Sequence, residues 1–312
     1  MSTAFYRHPV CHEHDPGPQH PERPERLRAV DEALADEAFK DLVRLSAPKA
    51  SVAQIERVHS ASYVKNIFEA VPESGLLNID PDTVLSPKSG EAALRAAGGV
   101  CAAVDGVLGG DFTNAFCALR PPGHHAEPSQ AMGFCLFNNI AIGALQAKDV
   151  HGIDRVAVVD FDVHHGNGTQ AAFESYPDFL YISSHQSPAY PGTGSESEYG
   201  PNNNIVNVEL APGSGSDIFR KAYDDRILPA LWDWKPQLLM ISAGFDAHAR
   251  DPLAQIELTD DDFAWVTRQL LDVAAECCEN RVVSVLEGGY DLVALAAGVA
   301  LHVGELLAVD IG

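Results

Sequence analysis

The chain has 312 residues, 46% apolar and 21% charged, which is enough apolar material for a substantial globular core. Lys plus Arg (21) against Asp plus Glu (44) gives a formal net charge of −23. A field of that sign repels phosphate backbones, which argues against direct nucleic-acid binding, and it attracts cations such as lysine-rich peptides or polyamines. General solubility or adaptation to a salty cytoplasm explains the same charge equally well.

The cysteine pattern and the apolar runs favour a cytoplasmic protein. None of the six cysteines forms a Cys-x-x-Cys pair, so we expect reduced, buried thiols instead of a disulfide framework. The first residues lack the pattern of a signal peptide. The longest apolar run, at residues 292–301, is too short for a membrane span. The sequence leaves open whether the chain forms a homo-oligomer.

Short β-branched runs alternate with longer helical patterns along the chain. Strands are predicted at residues 114–119, 155–161, 179–183, 204–208, 237–242 and 281–286. Helices are predicted at residues 22–45, 87–108, 138–148, 217–234, 260–279 and 292–307. This alternation predicts one α/β domain over residues 1–312, with a mainly parallel sheet covered by helices on both faces.

Metal-binding and titratable side chains directly follow several predicted strands. They occur in the segments RPPGHH (120–125), DFDVHHG (160–166), SSHQ (183–186), AGFD (243–246) and EGGY (287–290). Loops beyond the carboxyl ends of parallel strands form the ligand sites of open α/β sheets. We therefore expect these groups to converge at one edge of the sheet.

The DFDVHHG segment suits a metal site. Alternate residues of extended backbone face the same side, so Asp160, Asp162 and His164 would point together. Two carboxylates beside an imidazole are costly without a cation among them, although such a triplet can also simply cap a helix. Asp246 can supply a third ligand, and three ligands with one open position suit a catalytic Zn²⁺. Fe²⁺ or Co²⁺ could also bind this donor set.

Two further motifs suit acid–base chemistry and oxyanion stabilisation. His124 and His125 follow a rigid Arg-Pro-Pro-Gly turn and could transfer protons beside an activated water, with Asp160 and Asn167 orienting their rings. Tyr290, on a Gly-Gly turn, could direct its hydroxyl at developing negative charge. Each motif is weak alone, because paired histidines are often merely solvated and a tyrosine there can simply pack beside the next helix.

Six motifs in order resemble the histone deacetylase family, in its class II-like branch with the bacterial histone deacetylase-like amidohydrolases: RPPGHHA, GFCLFNN, DFDVHHGNGTQ, PGTG, AGFDAH and LEGGY. The resemblance runs from about His20 to beyond Tyr290. It implies the three-layer arginase/deacetylase fold around an eight-stranded, mainly parallel sheet. It also implies a zinc-dependent deacetylase that hydrolyses N-acetyl (acyl) amides of an acetylated lysine side chain or an acetylated small amine.

The resemblance assigns roles to individual residues. The zinc ligands would be Asp162, His164 and Asp246. The catalytic group would comprise His125 as general base and acid, His124 as its electrostatic partner, Asn167 and Asp160 as their supports, and Tyr290. The substrate tunnel would be lined by Gly133, Phe134, Tyr190 and Leu253, with His20, Pro21 and Asp82 at its mouth. Structural K⁺ ions would bind Asp160, Asp162, His164, Ser183 and Ser184 at one site, and Phe173, Tyr176 and Phe179 at another.

Departures from the family pattern bear on chemistry and substrate. Asn167 stands where class I members carry Asp, and Tyr190 stands where many members carry Phe. The His- and Pro-Glu-Arg-rich segment at residues 12–26 matches the family's amino-terminal stretch and is expected to form a rim loop. Leu253 stands where one polyamine-specific branch carries Glu, which weakly disfavours acetylpolyamines. Lysine and small-amine substrates both remain open.

Two other function classes fit less well. A binuclear-metal ureohydrolase of the same fold would need Asp at positions 166 and 248, where this chain has Gly166 and His248. A non-catalytic module that binds acetylated ligands is disfavoured because Tyr290 and the other catalytic positions are filled.

Overall fold

The computed structural model describes residues 2–309. Its strands are β1 (Thr3–Arg7), β2 (Val43–Ser46), β3 (Leu77–Asn78), β4 (Val84–Leu85), β5 (Asn114–Cys117), β6 (Val156–Asp160), β7 (Phe179–Gln186), β8 (Ile205–Leu210), β9 (Leu238–Ala243) and β10 (Val282–Leu286). Its α-helices are α1 (Glu25–Ala33), α2 (Val52–Ile55), α3 (Ala61–Ala70), α4 (Ser89–Gly109), α5 (Asn139–His151), α6 (Asn167–Phe173), α7 (Ser216–Ala222), α8 (Leu228–Trp234), α9 (Asp260–Cys278) and α10 (Leu292–Leu307).

Eight of the strands form one sheet in the order β2-β1-β5-β10-β9-β6-β7-β8, and every neighbouring pair is parallel. β3 and β4 form a separate antiparallel hairpin. All residues of β5, β6, β9 and β10 are buried, which requires helices on both faces of the sheet. α4 packs on α5, while α10 packs on α1 and α9. The predicted eight-stranded α/β architecture is therefore confirmed.

The strand order explains how distant motifs meet. The segments that begin at Arg120, Asp160, Ala243 and Glu287 follow β5, β6, β9 and β10, which are the four adjacent central strands. Because these strands are parallel, all four segments leave the sheet at the same edge.

One predicted helix is wrong over more than half of its length. Residues 22–45 were expected to form one helix, but α1 covers only Glu25–Ala33 and residues 43–46 form the edge strand β2. Pro24 stands at the start of α1 and Asp36 caps a separate short 3-10 turn, so the regular helix is confined to the residues between them. The alternating half-buried and exposed residues of β2 match a strand on an edge.

Other elements are longer, broken or additional. β7 continues to Gln186, three residues beyond the predicted end. The helix predicted at residues 217–234 contains a π-helical turn at Tyr223–Ile227, directly before α8, where Pro229 lacks the N–H of a regular helical bond. The elements β1, α2, α3, α6 and the β3–β4 hairpin were not predicted.

One helix has the length and hydropathy of a membrane span. In α4, Ser89–Gly109, two thirds (67%) of the apolar 18-residue window is buried inside the fold. The helix contacts α5 and the strands β1, β5 and β10. Its apolar surface is therefore explained by packing against the sheet.

Candidate metal centre and catalytic site

Three side chains at the carboxyl edge of the sheet form a compact group of metal-ligand type. One donor atom each from Asp162, His164 and Asp246 lies within 4.8 Å of the others, and all three residues are buried. His164 Nδ1 is 3.1 Å from Asp162 Oδ1 and 3.1 Å from Asp246 Oδ2. A ring nitrogen carries at most one hydrogen and cannot donate to both carboxylates at once. This donor set therefore fits a divalent cation among the three atoms.

The outward-facing oxygens of these carboxylates are held by the backbone. Asp162 Oδ2 accepts the Gly288 N–H at 2.8 Å, and Asp246 Oδ1 accepts the Val163 N–H at 2.9 Å. A Cβ atom at position 288 would collide with both carboxylates, so only glycine allows the backbone to approach this closely. The remaining carboxylate oxygens are thereby directed at the His164 ring.

The charges of the three groups are strongly coupled. Burial lowers the pKa of His164, but its hydrogen bonds to Asp162 and Asp246 outweigh burial and raise the pKa to about 10. Burial and the charge of Asp162 raise the pKa of Asp246. Both shifts express the cost of two buried carboxylates at one point, which a bound cation relieves.

The two adjacent histidines have different partners. His124 Nδ1 lies 3.0 Å from Asp160 Oδ2, and His125 Nδ1 lies 2.8 Å from Asn167 Oδ1. The Asn167 amide is oriented by its Nδ2 group, which donates to Glu127 Oε1 at 2.8 Å. Because Asn167 Oδ1 can only accept, His125 Nδ1 carries the hydrogen and Nε2 presents a lone pair.

The protonation states of the two rings diverge accordingly. Burial lowers the pKa of His124, but the charges of Asp160 and Asp162 outweigh it and raise the pKa to about 10. Burial and the neighbouring charges of His124 and His164 hold the pKa of His125 well below its usual value. A neutral His125 beside a cationic His124 suits a base next to an electrostatic partner.

Tyr290 is held by a buried carboxylate and a guanidinium group. Its N–H donates to Asp251 Oδ2 at 2.7 Å, and the Arg26 guanidinium lies 4.9 Å from the centre of its ring. Burial raises the pKa of the phenol well above its usual value, although the Arg26 charge opposes the shift. The phenol therefore remains a hydrogen-bond donor at neutral pH.

His125, His164 and Tyr290 line one cavity of about 230 Å³. Its lining consists of Asp82, His125, Gly133, Phe134, His164, Tyr190, Leu253 and Tyr290. The Phe134 ring meets the Tyr290 ring edge to face at 5.8 Å between centroids, and the Tyr190 ring meets His125 at 5.1 Å. Four predicted tunnel-wall residues thus stand beside three predicted catalytic or metal-binding residues.

The wall containing Phe134 requires an unusual backbone. Gly133 and Phe134 both have positive φ, at 56° and 68°. A Cβ atom at position 133 would collide with the His125 ring, so Gly133 lets the loop pack directly on that histidine. The Gly133 N–H donates to Asp82 Oδ1 at 3.0 Å, which ties this wall to the β3–β4 hairpin.

The predicted mouth residues divide into two groups. Asp82 lines the cavity, together with the partly exposed wall residue Leu253. His20 and Pro21 do not, but His20 supports the wall from behind, because its ring lies 4.7 Å from the Phe134 ring and its Nε2 bonds the Asp82 carbonyl at 3.0 Å.

Residues 12–26 do not form only a rim loop. Glu22 and Arg26 are fully buried behind the catalytic groups. Arg26 donates to the Gly289 and Glu287 carbonyls at 2.6 and 2.5 Å, and Glu22 pairs with Arg120. The Pro-Glu-Arg segment therefore fixes the turn that carries Tyr290.

Two acidic supports were not predicted as such. Glu287 Oε2 accepts the N–H groups of Gly123 and His124 at 2.7 and 3.2 Å, which fixes the histidine loop. Asp251 accepts the Tyr290 N–H and is also buried. Glu287 was visible in the EGGY motif, but no local pattern marks Asp251.

The residues of the first predicted K⁺ site lie at the end of β6, in the loop that follows it and in the neighbouring strand β7. Asp160 pairs in register with Ser183. The Val163 carbonyl accepts the Gln186 N–H at 2.8 Å, while in residues 2–309 the carbonyls of Asp162 and His164 accept no loop hydrogen bond. These two free carbonyls beside the Asp160 carboxylate fit a monovalent cation.

The second predicted K⁺ site is built differently. The carbonyls of Phe173, Tyr176 and Phe179 converge, as the prediction requires, but on the side-chain nitrogen of Asn204 at 2.8–3.0 Å. The side-chain amide of Asn204 therefore lies where the sequence predicted a K⁺ ion.

Within residues 2–309 a second divalent metal ion has no comparable cluster of side-chain donors. A Cβ at Gly166 would collide with the Asp160 carboxylate, and His248 is engaged with the Arg250 N–H and Asp260. Among the described residues, the Asp162–His164–Asp246 group is the only cluster of three His, Cys, Asp or Glu side chains with metal-ligand geometry. The arrangement therefore suits one metal ion instead of two.

The chain matches the family model of the histone deacetylase domain over residues 20–306. It is 40% identical over 310 residues to a histone deacetylase-like amidohydrolase of Pseudomonas aeruginosa, with 92% of this chain and 81% of that protein covered. It is 38% identical over 303 residues to the human polyamine deacetylase HDAC10, with 92% of this chain and 44% of that protein covered. The chain spans 20% of the length of type-2 histone deacetylase 2 of Dictyostelium discoideum, to which it is 38% identical.

A solved structure shows the same architecture. The crystal structure of the HDA15 HD domain matches with a TM-score of 0.92 and 33% identity, covering 100% of this chain and 91% of that chain. Sequence, fold and site therefore agree, and the chain belongs to the histone deacetylase family, in the branch that includes the bacterial histone deacetylase-like amidohydrolases.

Proposed function

We propose that this protein is a metal-dependent deacetylase that hydrolyses N-acetyl (acyl) amides of lysine-like amines. The observation that carries the proposal is the convergence of three groups on one cavity. These are the buried Asp162–His164–Asp246 cluster, the neutral His125 and the protonated Tyr290 phenol.

Asp162, His164 and Asp246 would hold the metal ion. Zn²⁺ suits this set best, and Fe²⁺ or Co²⁺ are alternatives that accept the same oxygen and nitrogen donors. When bound, such an ion acts as a Lewis acid on the amide carbonyl and increases the acidity of a water molecule.

His125 supplies the proton transfers. Its Nε2 lone pair takes a proton from the attacking water while the water oxygen bonds to the carbonyl carbon. The same proton then passes to the amide nitrogen as the carbon–nitrogen bond breaks, which yields the amine and acetic acid. The remaining proton of the acid passes to the amine, so the products at neutral pH are acetate and the ammonium form of the amine. The cationic His124, 4.0 Å away between ring centroids, favours the neutral form of His125 before the reaction.

Tyr290 stabilises the carbonyl oxygen. Its hydroxyl makes no hydrogen bond to another residue in the range 2–309 and is free to donate to a substrate in the cavity. Negative charge grows on the carbonyl oxygen during attack, so this donor acts more strongly in the transition state than in the ground state.

The walls select the shape of the substrate. The Phe134 and Tyr190 rings flank a narrow cavity that would hold the unbranched alkyl chain of an acetylated lysine or amine. Leu253 adds an apolar surface at the mouth, where a peptide backbone can lie.

Acetylpolyamine hydrolysis is the second candidate. Asp82 at the mouth could attract a second ammonium group, and a human relative is named a polyamine deacetylase. The apolar Leu253 argues weakly against it, because this position offers no carboxylate to a second amine.

A direct experiment compares kcat/KM for an acetyl-lysine peptide, acetylputrescine and acetylspermidine. We expect the peptide to be the best substrate and metal-depleted enzyme to be inactive on all three. A preference for acetylspermidine would replace the first proposal by the second, and no hydrolysis of any substrate by metal-loaded enzyme would contradict both.

A further inference from the structure

Three backbone carbonyls meet at the junction between α6 and β7. Asn204 Nδ2 lies 2.9, 3.0 and 2.8 Å from the carbonyl oxygens of Phe173, Tyr176 and Phe179. Asn204 is fully buried, and its own carbonyl accepts the Tyr181 N–H at 3.0 Å, which fixes its backbone to β7. The amide nitrogen is therefore nearly equidistant from three partial negative charges.

Clustered carbonyls of this kind are ligands for K⁺. Without a positive partner they repel one another in a buried setting. Here the Phe173 and Tyr176 carbonyls each accept one backbone N–H, from Tyr176 at 2.9 Å and Phe179 at 3.2 Å. Each carbonyl oxygen has a second lone pair that can accept another hydrogen bond. The two hydrogens of the Asn204 amide point toward these lone pairs.

The orientation of the amide follows from the same charges. Turned by 180°, Asn204 would place Oδ1 as a fourth oxygen against the three carbonyls. In the observed orientation Oδ1 faces away and is buried without a hydrogen-bond partner. One unpartnered oxygen costs less than four oxygens in contact, so the nitrogen stays at the centre.

We propose that the Asn204 side-chain amide replaces the cation at this site, so that the α6–β7 junction is closed without K⁺. The point of convergence is filled by an atom of the chain itself. A cation could enter only if the amide left.

The replacement has a consequence for the catalytic site. α6 begins at Asn167, whose oxygen orients His125, and it ends at Phe173, whose carbonyl the Asn204 amide holds. The hydrogen bond from the Asn204 side chain therefore holds the carboxyl end of α6, and with it the position of Asn167 at the other end of this helix. Cation exchange at this junction should have no influence on it.

Thallium diffraction tests the proposal directly. Crystals of the wild-type protein grown in K⁺ are transferred to Tl⁺, and an anomalous difference map is calculated. We expect no peak among the carbonyls of Phe173, Tyr176 and Phe179. A Tl⁺ peak there, at ligand distance from the three oxygens, would overturn the proposal.

A pair of variants adds a solution measurement. Asn204→Ala removes the amide and leaves the three carbonyls for a cation. Asn207→Ala is the matched control, because Asn207 is a buried asparagine of β8 that bonds Gln170 and the Ser195 carbonyl instead. The difference in Tm between KCl and choline chloride is measured for both and for the wild type.

We expect K⁺ to raise the Tm of Asn204→Ala by about 2 °C more than that of the wild type, as one added ion site should. Asn207→Ala should respond to K⁺ as the wild type does. Equal K⁺ responses of the two variants would mean that the amide does not stand in for a cation. If Asn204→Ala fails to fold, the wild-type Tl⁺ map still decides.

Discussion

His124 and His125 are adjacent in sequence but face different partners. A carboxylate behind His124 favours the imidazolium form, whereas an amide oxygen behind His125 fixes the tautomer without adding charge. The Asn167 position therefore matters because Asp there would raise the pKa of His125.

Removing the base should abolish most of the activity. We predict that His125→Ala lowers kcat/KM by about two to four orders of magnitude, because it removes the neutral imidazole that lines the cavity and takes the proton from water. Acetyl-lysine peptide hydrolysis measures the effect. His165→Asn is the control, since the His165 ring bonds Thr193 and Gln170 outside the cavity, and it should lose much less. Near-wild-type activity of His125→Ala would show that His125 is not the general base.

The Tyr290 hydroxyl can be tested without disturbing its ring. Tyr290→Phe keeps the contacts with Phe134 and Arg26 and should reduce kcat by about two to three orders of magnitude with a small change in KM. Tyr199→Phe, at an exposed tyrosine, serves as control. A change confined to KM would indicate a binding role only.

The sequence identifies the residues of the site better than their supports. Asp162, His164, Asp246 and the histidine pair stand at strand ends, where a local pattern signals them. Asp251 acts by accepting an N–H group 39 residues away in sequence, which no local pattern encodes.

At the scale of elements, the alternation of strands and helices predicts a parallel sheet but not its strand order. β2, at one edge, is four residues long and alternates half-buried and exposed residues, so no apolar run marks it, whereas β1 lies between β2 and β5 and its buried run covers only Thr3–Tyr6. Edge strands satisfy fewer constraints than central ones and therefore leave weaker patterns.

A buried histidine joins α9, β10 and α10. His302 lies within 2.6 Å of Thr267 Oγ1 and 2.8 Å of Ser284 Oγ, and burial lowers its pKa to about 3. An unfolded histidine titrates near ~6.5. Between these two pKa values, His302 is protonated in the unfolded chain but neutral in the folded chain. The free energy of unfolding therefore decreases as the pH falls.

The consequence is a prediction for acid stability. At pH 5 His302 should account for a loss on the order of 2 kcal/mol relative to neutral pH. Urea unfolding at pH 7 and pH 5 measures the loss in the wild type and in His302→Gln, which cannot titrate. We expect a smaller pH dependence in the variant, and identical pH dependence of the two proteins would contradict the assignment.

At the scale of the whole molecule, the net charge of −23 surrounds a cavity with Asp82 at its mouth. This field should accelerate the encounter with cationic substrates. We predict that kcat/KM for a lysine-rich acetylated peptide falls several-fold between about 0.02 and 0.5 M salt, because the field is screened. A matched peptide with glutamates in place of the flanking lysines should show no such fall. Equal salt dependence of both peptides would exclude steering by charge.

The central claim is one catalytic metal ion held by Asp162, His164 and Asp246. Metal-free protein, prepared by chelation, is titrated with Zn²⁺ while acetyl-lysine peptide hydrolysis and bound metal are measured together. We predict no activity without metal, full recovery at one Zn²⁺ per chain, and no tightly bound Zn²⁺ in Asp246→Ala. Undiminished hydrolysis by metal-free protein, or recovery only at two ions per chain, would contradict the account.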